Sequence, residues 1–205
     1  MSDPSATVSP AQPAADGAGS AGAPTYLLVD GENIDATLGM SVLGHRPSPD
    51  ERPRWDRIAS FVGTQWGAPV VPLFFLNATS GQLPMPFVQA LLAMGYRPVP
   101  LAGNGTEKVV DMGIQRTLEA LRDRPGSVVL ASHDGDFIPQ VEALLGDDRR
   151  VGLLGFREFV NLRMTELAGR GLEILDLEHD VQAFTAPLPR VRIIPIEEFD
   201  PLRFL

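Results

Sequence analysis

The chain has 205 residues and a hydrophobic fraction of 44%, which suffices for one globular domain with a core and an additional tail. It contains no cysteine, which excludes disulfide frameworks and thiolate metal sites, and its 3 histidines share no ligand spacing. Any bound metal is therefore expected to be a hard cation on carboxylates rather than zinc. The formal net charge of −9 argues against a protein that coats nucleic acid without specificity.

The two ends of the chain differ in composition from its middle. Residues 1–24 are mainly Ala, Gly, Ser and Pro and predict a disordered tail. We assign residues 25–178 to one domain and residues 179–205 to an acidic, proline-containing C-terminal extension. The apolar stretch 191–196 makes this extension a candidate surface for a homodimer or a protein partner. With no secretory signal and no apolar run near the ~20 residues of a membrane span, we expect a cytoplasmic protein without a membrane partner.

Short apolar runs alternate with helix-like segments along the domain. In chain order, the patterns predict strands at 26–29, 70–76, 96–101, 127–131, 151–154 and 172–175 and helices at 55–66, 84–94, 108–122, 137–145 and 162–168, with a loop over 37–54. Such alternation is typical of an α/β sandwich with a mainly parallel sheet. Pro72 predicts an edge or a bulge in the second strand, and two prolines predict that the third is an exposed edge.

The helix predicted at 108–122 supplies a face for the core. Its expected core positions are Val109, Met112, Leu118 and Leu121.

Two predicted strands end in turns that carry acids. The first strand runs into Asp30-Gly-Glu-Asn33, and the fourth runs into Ser132-His-Asp134-Gly-Asp136. We expect the glycines beside these acids to let the backbone turn sharply. If the two strands are neighbours, Asp30 and Asp134 approach each other at the C-terminal edge of the sheet, where ligands bind in such folds.

A third acid comes from the start of the helix at 108–122. Helical spacing of three places Lys108 and Asp111 on one face. Crowded carboxylates repel each other unless a proton or cation neutralises them. Mg²⁺ or Mn²⁺ does so while it keeps open positions for water and substrate, and such an ion can promote attack on a phosphodiester.

Each acid also has an ordinary interpretation. Either aspartate of the Asp-Gly-Asp turn could cap the helix near residue 137, and Asp111 could be a helix N-terminal acid. Asn33 could be a cap, or it could orient a water or a phosphate. His133 is expected to be a solvent-exposed turn residue rather than a catalytic one, and Glu32 a surface or capping residue.

These motifs, in this order, resemble the NYN domain, a branch of the PIN-like nuclease superfamily that includes LabA-like proteins. The resemblance spans about residues 25–177 and rests on 27–33, on Lys108-Val-Val-Asp111, on 132–137 and on the strand 150–155. It implies a three-layer α/β/α sandwich with Rossmann-like topology and metal-dependent ribonuclease chemistry. The implied metal ligands are Asp30, Asp111, Asp134 and Asp136, with Asn33 and Ser132 as polar support, and the implied partner is RNA.

Two positions depart from the family pattern. Many relatives carry a further aspartate where this chain has Thr117, and a glycine where it has His133. The remaining acids are enough for one ion. The departures keep a second hypothesis open, in which the domain binds RNA or a regulatory partner with little cleavage. A third scheme, a Toprim-type phosphotransfer site on Glu32 and the Asp-Gly-Asp turn, ranks lower because it leaves Asp30 and Asp111 without a role.

Overall fold

The chain forms one parallel sheet flanked by helices. A computed structural model describes residues 22–146, 148–190 and 196–203, so most of the predicted tail and residues 191–195 of the apolar C-terminal stretch lie outside the described residues. The strands lie in the order β3-β2-β1-β4-β5-β6 and every neighbouring pair is parallel. They are β1 (Thr25–Asp30), β2 (Val70–Asn77), β3 (Arg97–Leu101), β4 (Ser127–Ala131), β5 (Val151–Gly155) and β6 (Leu172–Asp176).

Helices connect consecutive strands. The α-helices are α1 (Gly31–Thr37), α2 (Trp55–Trp66), α3 (Met85–Ala93), α4 (Val109–Leu121), α5 (Ile138–Leu144) and α6 (Leu162–Glu166). A π-helix (Leu38–Leu43) continues α1, and short 3₁₀ segments cover Gly135–Phe137, Arg157–Phe159, Leu167–Arg170, Ile196–Glu198 and Pro201–Arg203. Within the described ranges, no helix is long and apolar enough to cross a membrane.

The sheet is buried on both faces. In β1, Leu27 and Val29 join a core with α1, α2 and α3, whereas Leu28 joins a second core with α4, α5 and α6. Side chains alternate between the faces of a strand, so a strand with a core on each side must be apolar throughout. The predicted three-layer α/β/α sandwich with a parallel sheet is therefore confirmed.

Three local predictions need correction. β2 is an interior strand without a bulge, and Pro72 is tolerated because β3 pairs with β2 only from Leu73 onward. Met112 is 36% exposed, because the buried face of α4 runs through Val110 and Ile114 instead. The predicted loop 37–54 is helical up to Leu43, since the π-helix extends α1. The third strand, β3, does lie at the edge of the sheet, as its prolines predicted.

Part of the segment predicted as a C-terminal extension packs against the domain. Val181 and Ala183 are buried in the same core as α1, α2 and α3, with Phe184 packed against them. The backbone of Ala183 donates to the Leu177 carbonyl at 2.9 Å and accepts from the Arg54 amide at 2.7 Å. Residues 181–184 therefore help to hold the start of α2 in place.

Ala183→Asp tests this packing. The substitution buries an unpaired carboxylate, and we expect the free energy of unfolding to fall by about 3–5 kcal/mol in a denaturant titration. Ala186→Asp is the matched control because Ala186 is exposed, and its effect should stay within about 0.5 kcal/mol. Equal stability of the two variants would contradict the packing described here.

Candidate metal centre

The acidic motifs meet where the strand order changes direction. From β1 the chain builds outward to β3 and then returns to the other side of β1 to form β4. Such a switch leaves a crevice at the C-terminal strand ends, which is the usual ligand position in parallel α/β sheets. Val29 pairs with Ala131, so Asp30 and Ser132 follow on adjacent strands. The two strands that end in acidic turns are thus neighbours, which the sequence had left as a condition.

Asp30 is the buried member of the site, with 2% of its surface exposed. Its Oδ1 accepts a hydrogen bond from the backbone N–H of Asn33 at 3.2 Å, and this bond caps α1. Its Oδ2 accepts from the Ser132 hydroxyl at 3.0 Å. A carboxylate has about four acceptor positions, so both oxygens keep lone pairs for a further partner.

The pKa of Asp30 is raised from its ordinary 3.8 to about 6. Burial is the main cause, and the negative charges of Asp111 and Asp134 add to it, against the lowering effect of its two hydrogen bonds. Near neutral pH an ionised Asp30 is therefore costly in the metal-free protein. A cation at the cluster would offset that cost.

Three further carboxylates converge beside it. Asp111, in the first turn of α4, and Asp134 and Asp136, after β4, offer oxygens that all lie within 4.8 Å of one another. Ligand oxygens on opposite sides of a six-coordinate Mg²⁺ lie about 4.2 Å apart, so small side-chain movements would let all three reach one ion. Asp30 lies outside this group of three, although it senses the charges of Asp111 and Asp134.

Lys108 supplies the positive charge at this cluster. Its Nζ lies 3.3 Å from Asp111 Oδ2 and 3.6 Å from Asp136 Oδ2, and its side chain is 70% exposed. These carboxylates raise the pKa of Lys108. An ammonium drawn to this position shows that the cluster favours a cation, and its exposure leaves it free to yield to a metal ion.

The capping interpretation of the Asp-Gly-Asp turn also holds. Asp134 Oδ1 accepts from the Asp136 amide at 2.8 Å and so caps the 3₁₀ segment that leads into α5. Asp134 can cap the helix and belong to the cluster at once, because one carboxylate oxygen accepts the capping hydrogen bond and the other is left for the cluster. Ser132 links the two acidic turns, since its hydroxyl donates to Asp30 and accepts from the Asp134 amide at 3.2 Å.

Asn33 and His133 clamp the site from the side. Asn33 Oδ1 accepts from the His133 amide at 2.8 Å and lies 3.1 Å from His133 Nδ1, while His133 Nε2 accepts from the Phe156 amide at 2.7 Å. Because Nε2 accepts, the ring proton resides on Nδ1, where it reaches Asn33. The amide oxygen of Asn33 is therefore occupied in holding α1 to the second acidic turn.

The prediction that His133 is exposed to solvent is wrong. His133 is half-buried, and its ring stacks on that of Phe156 with 5.6 Å between the ring centroids. Burial lowers the pKa of His133 from 6.5 to about 4, so the ring is neutral at physiological pH. The sequence carried a signal in Gly155, where a Cβ would lie 2.7 Å from His133 Nε2. A glycine on the neighbouring strand makes the room that the ring needs.

The glycines of the acidic turns have a different role from the one expected. Neither Gly31 nor Gly135 has a positive φ. A Cβ on Gly31 would collide with the ring of Phe74, and one on Gly135 would lie 2.8 Å from Asn161 Nδ2. Close packing, rather than a sharp turn, requires glycine at both positions.

Two residues considered in the sequence stay outside the cluster. Thr117 donates its hydroxyl to the Gly113 carbonyl of its own helix at 2.7 Å, so it brings no charge to the site. Glu32 is exposed and lines the groove along α1 instead. The Toprim-type scheme, which needs Glu32 beside the Asp-Gly-Asp turn, is therefore not supported by this geometry.

Gly155→Ala tests the histidine clamp. The new Cβ would displace the His133 ring and leave the Phe156 amide unpaired, so we expect a loss of about 1–3 kcal/mol in the free energy of unfolding. Gly169→Ala is the control, since a Cβ there meets nothing within 4 Å. The clamp is refuted if both variants unfold at the same denaturant concentration.

Asp30→Asn tests the cost of the buried charge. The folded pKa of about 6 lies above the ordinary 3.8, so the contribution of Asp30 is most favourable below pH 3.8 and is lost as pH rises through 6. In chelator at pH 8, Asp30→Asn should therefore exceed the wild type in stability by about 1–3 kcal/mol. The advantage should shrink towards pH 4 in urea titrations. A pH-independent difference between the two proteins would rule this out.

Comparison with known proteins agrees with the fold and the motifs. The family model of the NYN domain matches residues 24–168, which is more than half of the chain. A crystal structure of a protein of unknown function from Vibrio parahaemolyticus RIMD 2210633 is similar, with a TM-score of 0.60 and 18% identity over 79% of this chain and 97% of that chain. At this identity the likeness shows the fold alone. No protein with a curated description matches this chain. The chain belongs to the NYN domain family, a family of PIN-like nucleases.

Proposed function

We propose that the protein is a metal-dependent ribonuclease that hydrolyses RNA phosphodiesters at the aspartate cluster. The observation that carries the proposal is the convergence of Asp111, Asp134 and Asp136 within 4.8 Å in a chain with an NYN domain. The residues fit Mg²⁺ or Mn²⁺, because every donor is a carboxylate oxygen and the group is partly open to solvent. Asp30 is the fourth proposed ligand.

The roles of the residues follow from their positions. When bound, the ion would supply Lewis-acid stabilisation of the phosphodiester and lower the pKa of a water molecule. Asp111, Asp134 and Asp136 would hold it at the mouth of the crevice. Asp30 is buried at the end of β1, where the Ser132 hydroxyl and the backbone N–H of Asn33 hold its carboxylate in one orientation.

Lys108 and Asn33 act as support in this proposal. The ammonium of Lys108 is exposed and flexible, so it can leave the carboxylates and contact a phosphate oxygen of the substrate. Asn33 keeps the two acidic turns at a fixed separation through His133. Such preorganisation of charged groups is what allows a site to stabilise developing charge without rearranging.

A second function has its own support. The cluster lacks the acid that Thr117 replaces, and Lys108 already neutralises part of its charge. Both features favour a domain that binds RNA, or a regulatory partner, and cleaves it slowly. The two functions share the fold and the metal site and differ in turnover.

Asp134→Asn is the test. We expect Mn²⁺-dependent cleavage of a labelled single-stranded RNA to fall by at least about a hundredfold, because the variant removes a charged ligand while it keeps the cap to the Asp136 amide. Asp123→Asn, on the exposed turn after α4, removes the same charge elsewhere and should cleave like the wild type.

Unchanged cleavage by Asp134→Asn would exclude this site. Thermal stabilisation of the wild type by Mn²⁺ without turnover on varied RNAs would instead favour the binding function. The melting temperature in Mn²⁺ thus separates a domain that binds the ion without cleaving RNA from one that binds no ion, which cleavage alone does not.

A further inference from the structure

A second cavity adjoins the aspartate cluster on the β2 side of the crevice. It has a volume of about 630 Å³, within the range of ~300–1,000 Å³ typical of ligand pockets. Gly31, which directly follows Asp30, forms part of its wall, as does Phe75, which pairs with Asp30 across β1 and β2. The cavity therefore lies at the same edge of the sheet as Asp30, although none of the four aspartates is among its lining residues.

The lining of this base pocket, as we name it, is aromatic. Trp55, Phe74 and Phe87 contribute to it, with Trp55 and Phe74 in edge-to-face contact at 5.0 Å and Phe74 and Phe87 at 5.3 Å. Ala90 of α3, which is exposed, lies at its rim. Trp55 and Phe74 are almost fully buried, so the half-buried Phe87 presents the aromatic surface that is open to a ligand. Exposed aromatic rings are used by proteins that bind unstacked nucleobases.

Two polar atoms among the pocket residues lack partners. Trp55 is 4% exposed, and its Nε1 has no hydrogen-bond partner in the described part of the chain. Asp35 Oδ1 is likewise buried and unpaired, while Oδ2 of the same carboxylate accepts from Arg52 Nε at 2.7 Å. A buried donor and a buried acceptor left unpaired are costly, and a ligand that brings a complementary acceptor and N–H donor would satisfy both.

The pocket lining carries two arginines and two carboxylates, Glu32 and Asp35. Arg46 and Arg52, from the segment between the π-helix and α2, both line the cavity. Arg52 pairs with Asp35, but Arg46 is exposed and has no carboxylate within 4.0 Å among the residues that the structure describes. A guanidinium at the mouth of an aromatic pocket suits the phosphate that is attached to an inserted base.

We propose that this pocket receives one unstacked nucleobase of the polynucleotide whose backbone crosses the aspartate cluster. The inference rests on the proposed ribonuclease function and deepens it, because it names the part of the substrate that is bound beside the scissile phosphate. The base packs against Phe87, and Arg46 contacts the neighbouring phosphate. The edge of the base pairs with Asp35 Oδ1 and Trp55 Nε1 once the side chains that cover these two buried atoms move aside. The enzyme then favours single-stranded RNA, because a paired base must first be unpaired and unstacked, which costs free energy.

The experiment compares two ligands with the same number of phosphates. A short fluorescent oligouridylate and a fully abasic ribose-phosphate chain of equal length are titrated with the protein in EDTA, where no cleavage occurs. The wild type should bind the oligouridylate at least about fivefold more tightly, which is the lower end of what one stacked base contributes.

Ala90→Trp fills the rim and should abolish this preference, while it leaves the affinity for the abasic chain unchanged. Leu92→Trp is the matched control on the same helix, because Leu92 is 58% exposed and does not line the pocket. Trp55→Phe replaces the indole by a smaller aromatic ring and deletes the N–H, and it should weaken binding of the oligouridylate alone.

Equal affinity of the wild type for the two ligands would overturn the proposal, as would identical behaviour of Ala90→Trp and Leu92→Trp. Melting curves confirm that each variant is folded before it is scored. Because binding is measured without metal, the two proposals can fail separately. Cleavage in Mn²⁺ together with equal affinity for the two ligands would contradict the pocket proposal alone. Tighter binding of the oligouridylate than of the abasic chain, without cleavage in Mn²⁺, would contradict the ribonuclease proposal alone.

Discussion

The parallel pairing of β1 with β4 is the constraint on which the site depends. The register that sets Val29 beside Ala131 brings Asp30 next to Ser132, although the two residues are separated by about half of the chain. Side chains alternate along a strand, so a shift of one residue would turn Asp30 towards the opposite face and break its bond to Ser132. The two-sided core of the sheet fixes this register, since each strand buries apolar side chains on both faces. The packing of the core therefore also fixes the positions of the acidic side chains.

In the metal-free protein, two features reduce the negative charge of the site: the raised pKa of the buried Asp30, and the ammonium of the exposed Lys108. Asp30 is shielded from water and has a raised pKa, whereas Lys108 reaches from solvent to Asp111 and Asp136. Towards acid, the ionisations of Asp30 and His133 affect stability with opposite sign, because burial raises one pKa and lowers the other. The folded protein can therefore assemble its carboxylates before an ion arrives.

Much of the fold follows from local sequence patterns. Helix α2 and strand β4 have the predicted bounds because their apolar spacing is regular and their ends are marked, α2 by Arg54 and Gly67 and β4 by Gly126 and Ser132. The acidic turns were also predictable, since aspartates at strand ends must share one edge of a parallel sheet. The orientation of Met112 and the extension of α1 through the π-helix were missed, because both depend on how a helix sits on the sheet.

The pocket beside the cluster escaped prediction for a related reason. It is built from α1, the segment before α2, β2 and α3, and no local pattern connects Asp35 with Trp55 and Phe87. An aspartate such as Asp35 is ordinarily a surface residue. Only the packing of four separate segments shows that one of its oxygens is buried and unpaired. Sites made by short motifs can be read from a sequence, whereas sites made by tertiary contact require the fold.

The contact between His133 and Gly155 has a consequence for how this protein can diverge. His133 lies in the turn after β4, and Gly155 ends the adjacent strand β5. The two residues share one small volume, so a larger residue at 155 is tolerated only with a smaller one at 133. A descendant that loses the imidazole also loses the link from Asn33 to the Phe156 amide, and the gap must be filled by water or by a new side chain. Positions 133 and 155 are therefore expected to be inherited as a pair, and their joint identity would mark a lineage among proteins that share the same four aspartates.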